Sequence, residues 1–120
     1  MPRRILLADD HEGIRRRVRS VLETADFEVC GEAADGLGAV KKTRDLMPDL
    51  IVLNLSMPVM HGLETIREIA KSAPGVKILV FSMDEADELR REALRRGAHG
   101  YVSKSRPITD LIDEVERLLT

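Results

Sequence analysis

The sequence predicts an α/β domain of the doubly wound type, with a five-stranded parallel sheet of order 2-1-3-4-5 and helices on both faces. Three observations predict it. Short apolar runs alternate along the chain with stretches of helical apolar periodicity. The connections between them are short, so right-handed crossovers return each strand parallel to the last. Aromatic residues are confined to Phe27, Phe81 and Tyr101, so the core must be aliphatic, as in a parallel sheet buried on both faces.

The elements follow in order. Ile5-Leu6-Leu7-Ala8 is an apolar run stopped by Asp9-Asp10, which makes it the first strand. Ile14, Val18, Val21 and Leu22 then recur at helical spacing, with Arg15, Arg16 and Arg19 off that face. Phe27-Glu28-Val29-Cys30 begins to alternate apolar with polar residues, the mark of a half-buried edge strand. Asp35 is placed to cap a helix running to about Leu46, and Pro48 marks its end. Leu50 to Leu53 is the most continuous apolar strand. Leu63, Ile66 and Ala70 line the next helix, and Pro74-Gly75 turns out of it. Ile78-Leu79-Val80-Phe81 forms a fourth strand ending at Ser82. Asp84 is placed to cap a helix carrying Leu89, Ala93 and Leu94 that stops at Gly97. Tyr101-Val102 belongs to a fifth strand leading into Ser103-Lys104. The last helix starts near Pro107 and buries Ile108, Leu111, Ile112, Val115, Leu118 and Leu119.

A chain of 120 residues supports one domain, spanning 1–120 with no linker or second domain expected. A formal net charge of −2 lacks the basic footprint of a nucleic-acid binder. The single Cys30 forbids an intramolecular disulfide and reads as a small buried hydrophobe. No apolar run is long enough for a membrane span, and the start of the chain does not resemble a signal peptide. A cytoplasmic location, with no membrane partner, is the expectation.

Function is legible at the strand ends. Asp9 and Asp10 follow the first strand, Asn54 the third, Ser82 the fourth and Lys104 the fifth. In a parallel sheet these ends share one edge, where ligands bind. Two carboxylates suit Mg²⁺, which takes one or two such ligands and a phosphate while keeping several waters. A lysine and a hydroxyl opposite suit phosphoryl oxygens. Singly each residue has a plainer role as a cap or a solvated loop residue. Their joint placement on one edge argues for a site.

Ile5-Leu6-Leu7-Ala8-Asp9-Asp10, Pro48-Asp49-Leu50-Ile51-Val52-Leu53, Ser56-Met57-Pro58, Gly62, Ile78 to Ser82 and Gly97 to Lys104 closely resemble bacterial response-regulator receiver domains. The wording is most similar to NarL/FixJ-type transcription regulators, whose receiver precedes a helix-turn-helix domain. The resemblance covers essentially the whole chain and implies a flavodoxin-like fold and a non-enzymatic module of two-component signalling. It implies that Asp9 and Asp10 hold Mg²⁺ with the Ser56 carbonyl and the residue at position 54. Ser82 would meet the phosphoryl group, Lys104 would be its counter-charge, and Tyr101 would be the aromatic switch that turns inward when Ser82 moves. The implied partners are a sensor histidine kinase, a second copy in a homodimer, and DNA only through a C-terminal output domain absent here.

Two departures stand out. Ser105, not proline, follows Lys104, so no cis bond is expected there. More consequentially, Asn54 occupies the position where the family carries its phosphoacceptor aspartate. A carboxamide is a very poor nucleophile, because its lone pairs are delocalised and it carries no charge. It also removes one negative charge, so Mg²⁺ should bind more weakly. The chain is therefore expected to be phosphorylation-incompetent, as an engineered variant or as a natural pseudo-receiver. The retained Asp9, Asp10, Ser82 and Lys104 favour the engineered origin.

The remaining features carry less. A small Mg²⁺-dependent phosphohydrolase using Asp9 and Asp10 is the alternative, but no second base or substrate pocket is evident. Gly36-Leu37-Gly38 is only a weak match to a dinucleotide loop and better suits a helix start. His11, beside the acid pair, reads as a solvent-facing loop residue or a modulator of the site. Arg15, Arg16, Arg17 and Arg19 make the first helix basic, as a solvated face or a docking face for a kinase or second subunit.

Overall fold

Each apolar run becomes a strand of a single parallel sheet. The structure, a computed structural model, describes residues 2–120. The strands are β1 (Arg4–Ala8), β2 (Glu28–Ala33), β3 (Leu50–Leu53), β4 (Lys77–Ser82) and β5 (Gly100–Ser103). The helices are α1 (Glu12–Thr24), α2 (Gly36–Leu46), α3 (Gly62–Ser72), α4 (Asp87–Arg96) and α5 (Ile108–Leu118). The strand order is β2-β1-β3-β4-β5, as the alternation of elements predicts, and β2 lies on an edge. No cis peptide bond occurs among the described residues.

Successive side chains of a strand point to opposite faces, so two cores form. Leu6, Ile51, Leu53, Ile78 and Val80 pack with Val40, Ile66 and Ile69 on the face covered by α2, α3 and α4. Ile5, Leu7, Leu50, Val52, Leu79 and Phe81 pack with Val18, Leu22, Leu111 and Val115 on the face covered by α1 and α5. Each fully buried Leu or Ile stabilises the fold by about 1.5–3 kcal/mol relative to leaving it exposed. Leu111 and Val115 are fully buried, while Ile108, Ile112, Leu118 and Leu119 pack more loosely at the rim.

Three local expectations need correction. Strand β2 runs to Ala33 rather than stopping at Cys30. Its partners on β1 skip from Val29 to Gly31, so Cys30 is the extra residue of a bulge, and the bulge breaks the alternation that the sequence displays. Asp84 does not cap α4. Its Oδ1 accepts from the Ala86 N–H at 2.9 Å in a local turn, and the helix starts afterwards at Asp87 with Ala86 as its cap residue. Leu94 is 42% exposed, so α4 buries Ala93 and packs Leu89 instead.

The Asp35 cap is as expected, its Oδ1 accepting from the Gly38 N–H at 2.7 Å. Two glycines are dictated by space and conformation. A Cβ on Gly62 would lie 2.4 Å from the Leu55 Cα, so the loop after β3 packs directly on the start of α3. Gly97 ends α4 at φ 126°, a conformation that favours glycine.

Candidate functional site

The ladder places the site residues before their side chains act. Ala8 pairs with Leu53, Leu53 with Val80, and Ser82 with Ser103, so the strands finish at nearly one level. Backbone bonds then carry the alignment past the strand ends. Asp9 N–H donates to the Ala33 carbonyl at 3.0 Å, Asn54 N–H to Ala8 at 2.9 Å, and Lys104 N–H to Ser82 at 2.8 Å. The residues picked from the sequence are thus held by the sheet itself at its C-terminal edge.

Asp9 and Lys104 meet across that edge. Lys104 Nζ lies 2.7 Å from Asp9 Oδ2, and the two side chains are only 6% and 8% exposed. Lys104 Nζ also lies 5.8 Å from the centroid of the Phe81 ring. Asp9 Oδ1 accepts from the His11 N–H at 2.9 Å. Both carboxylate oxygens of Asp9 are therefore engaged by this chain's own donors.

Asn54 and Asp10 form the other half. Asn54 is 4% exposed. Its Nδ2 donates to Asp10 Oδ1 at 3.3 Å and to the Ser56 carbonyl at 3.0 Å. His11 joins the group: its Nδ1 lies 3.2 Å from Asp9 Oδ1 and 3.1 Å from Asp10 Oδ1, with the ring largely exposed. His11 thus faces solvent, as expected of a loop residue, and also contacts both acids.

Ser82 is buried, and its Oγ accepts from the Asp84 N–H at 3.2 Å. Tyr101 is turned inward, 7% exposed, with its OH donating to the Asp84 carbonyl at 2.6 Å. Burial pushes the Tyr101 phenol above its ordinary range. Asp84 thus joins Ser82 to Tyr101 through its backbone, a role the sequence does not reveal because no side chain carries it.

The basic first helix is the second surprise. Arg15 Nε bonds Glu32 Oε1 at 2.7 Å, and Arg19 Nη2 bonds Glu32 Oε2 at 2.7 Å. Arg15 Nη1 also donates to the Asp9 carbonyl at 2.6 Å. Burial alone would raise the Glu32 carboxyl, but the hydrogen bonds and charges of Arg19 and Arg15 outweigh it and hold the group below its ordinary value. Arg15 and Arg19 are therefore struts between α1 and β2, Arg15 also reaching the Asp9 backbone, and of the four arginines only Arg16 and Arg17 remain on the outer face. The signal is Glu32 on an edge strand beside a basic helix, but nothing in the sequence ties those positions together.

The loop after β3 is held in a tight conformation. Val59 has φ 74° and is 76% exposed, and the Met60 N–H donates to the Pro58 carbonyl at 2.9 Å. That is a γ-turn of the rarer, positive-φ kind, an unusual place for a β-branched residue.

The family model of the response regulator receiver domain matches residues 5–116. The chain belongs to that family. Among relatives, the chemotaxis protein CheY of Thermotoga maritima is 36% identical over 104 residues, covering 87% of each chain. The nitrate/nitrite response regulator protein NarL of Escherichia coli K12 is 40% identical over 112 residues, 92% of this chain and 52% of NarL. This receiver therefore spans about half the length of NarL. Among solved structures, a two-component response regulator of the LuxR family from Aurantimonas sp. SI85-9A1 superposes with a TM-score of 0.94 at 33% identity. That match covers 99% of this chain and 86% of the other. The chain is a receiver domain of a two-component response regulator, similar to those of the NarL and LuxR type. No helix among the described residues is long and apolar enough to cross a membrane.

Receivers of this family bind Mg²⁺ at an acidic pocket. The residues here meet that requirement incompletely. The Asp10 carboxylate and Ser56 carbonyl are hard oxygen donors of the right kind. Asn54, however, turns its NH₂ towards them, and both Asp9 oxygens are already engaged. As arranged, Asn54 presents its NH₂, not its oxygen, to Asp10 and the Ser56 carbonyl.

Proposed function

We propose that this receiver is the signal-receiving module of a DNA-binding transcription regulator, held in an unphosphorylated state because position 54 is asparagine. The observation that carries this reading is the buried Asn54 amide at the tip of β3, facing Asp10 with its NH₂. In a competent receiver a carboxylate there would attack the phosphohistidine of a sensor kinase. The carboxylate oxygen would bond to phosphorus while the histidine nitrogen leaves. The amide supplies no anionic oxygen for that attack.

The other parts keep their places in this reading. With a carboxylate at position 54, Lys104 would neutralise phosphoryl oxygens, Ser82 would donate to one of them, and Asp9 and Asp10 would hold Mg²⁺ with the Ser56 carbonyl. Tyr101 would report the change on the face made by α4, β5 and α5. That face carries an open cleft of about 580 Å³ lined by Glu85, Arg90, Tyr101, Ser103, Arg106 and Asp110. The similarity to NarL- and LuxR-type regulators supports an output domain that binds DNA. The outer α1 arginines, Arg16 and Arg17, are the residues left to meet a kinase.

Incubation with a small acyl phosphate donor and Mg²⁺, followed by intact-mass analysis, tests the reading. The chain should gain no phosphoryl mass. A stable phosphorylated species mapped to position 54 would refute it, provided the same peptide shows no deamidation to aspartate.

A further inference from the structure

The Asn54 amide has only one orientation that satisfies its surroundings. Its Nδ2 sits 3.3 Å from Asp10 Oδ1 and 3.0 Å from the Ser56 carbonyl, and neither of those oxygens can donate a proton. Reversing the amide would set its Oδ1 against a carboxylate oxygen and a carbonyl oxygen, three acceptors with no hydrogen between them. A divalent cation makes the opposite demand, since it needs oxygen at position 54 and repels an NH₂ group. The two arrangements exclude each other.

We propose that the Asn54 carboxamide takes the place of a divalent cation in this pocket, bridging Asp10 to the Ser56 carbonyl so that the strand-end geometry holds without metal. The proposal rests on the receiver reading above and goes further, because it assigns the amide a positive structural role where that reading assigns only a missing nucleophile. Charge supports it. With asparagine at position 54, the Asp9 carboxylate is matched by Lys104 at 2.7 Å, leaving Asp10 as the one carboxylate of the pocket without a formal counter-charge from a lysine or arginine. One amide hydrogen answers that carboxylate, and the other goes to the Ser56 carbonyl. Satisfaction of the site supports it too: every buried side-chain nitrogen and oxygen among the described residues has a hydrogen-bond partner. Both amide hydrogens are engaged, and a cation between Asp10 and the Ser56 carbonyl would have to break both bonds to enter.

The test uses Mg²⁺ alone, with no phosphodonor, on the full chain and on Asn54→Asp and Asn54→Ala. The chain should melt at the same temperature in Mg²⁺ and in chelator. Asn54→Asp should melt lower than the parent in chelator and rise by several degrees in saturating Mg²⁺, since a ligand that binds only the folded state stabilises it. Its Mg²⁺ affinity should exceed the parent's by at least on the order of a hundredfold, a difference of about 2.8 kcal/mol. Asn54→Ala should melt lower than the parent in both conditions. If that variant does not fold, the Asn54 side-chain NH₂ resonances of the parent decide: they should exchange slowly with solvent in chelator. The proposal is overturned if Asn54→Ala is as stable as the parent, if those protons exchange like an exposed amide, or if the parent gains as much from Mg²⁺ as Asn54→Asp. None of these results bears on phosphate uptake, so failure here leaves the phosphorylation reading standing, and the reverse also holds.

Discussion

The two ends of the sheet use the same kinds of side chain for opposite purposes. At the N-terminal end, polar side chains bond the backbone, and the ion pairs between them, Arg3–Asp49 and Arg4–Glu28, are loose and exposed at 3.7 Å each. Asp49 Oδ2 accepts from the Arg4 N–H at 2.7 Å, Arg4 Nη1 donates to the Leu46 carbonyl at 2.7 Å, and His99 Nδ1 accepts from the Ile78 N–H at 3.0 Å. At the C-terminal end, polar side chains also bond one another: Lys104 to Asp9, Asn54 to Asp10, and His11 to both acids. A side chain that bonds only the backbone has a fixed partner. A side chain that bonds another side chain can be re-paired by a ligand. The contrast explains how one sheet is fixed at one end and open to chemistry at the other.

The largest way to break the comparison is at Lys104. Lys104→Met leaves Asp9 buried without its partner and should destabilise the domain by about 3–5 kcal/mol, the usual cost of orphaning a buried charge. Urea unfolding measures it, and a loss below about 1 kcal/mol would mean that the pair is solvated. At the opposite end, Asp49→Ala removes one acceptor from the Arg4 N–H. A smaller loss of about 1 kcal/mol is expected, with Mg²⁺ binding by the Asn54→Asp background unchanged. Val59→Gly should move stability the other way, raising it by about 1 kcal/mol as the positive-φ turn is relieved. The same melts would show it.

The smallest effect is pH dependence at His99. Burial, with Lys77 nearby, holds its imidazole below the ordinary histidine value of 6.5. The unfolded chain therefore binds this proton more readily than the folded one, and protonation at Nδ1 would displace the Ile78 N–H. The stabilisation is complete above that ordinary value and is lost as pH falls through the lower folded one. His99→Gln should flatten the slope in that window. Glu32 and Glu114, held low by Arg19, Arg15 and Arg117, lose theirs only below the ordinary carboxylate range, so the two effects separate.

Much of this molecule is legible in its sequence, for physical reasons that also mark the limit. Leu50 to Leu53 reads as a strand because it is apolar without interruption, and the polar residue after such a run must lie at the sheet edge. That logic brings Asp9, Asn54, Ser82 and Lys104 to one place. It does not say whom they bond. Lys104 bonds Asp9 from 95 positions away, and the direction of the Asn54 amide depends on the Ser56 carbonyl, which no side-chain pattern encodes. Arg15 and Arg19 read as an outer face because helical spacing places them off the apolar stripe, yet Glu32 on a neighbouring strand draws them in. Strand β2 reads short because its bulge at Cys30 interrupts the alternation on which the reading depends.

The central claim is that the receiver keeps a phosphoryl-accepting site complete except for its nucleophile. Restoring the carboxylate tests it most directly. Asn54→Asp, incubated with a small acyl phosphate and Mg²⁺, should gain the mass of one phosphoryl group, mapped to position 54. If that variant stays unmodified under those conditions, while folded and able to bind Mg²⁺, the result would contradict the account.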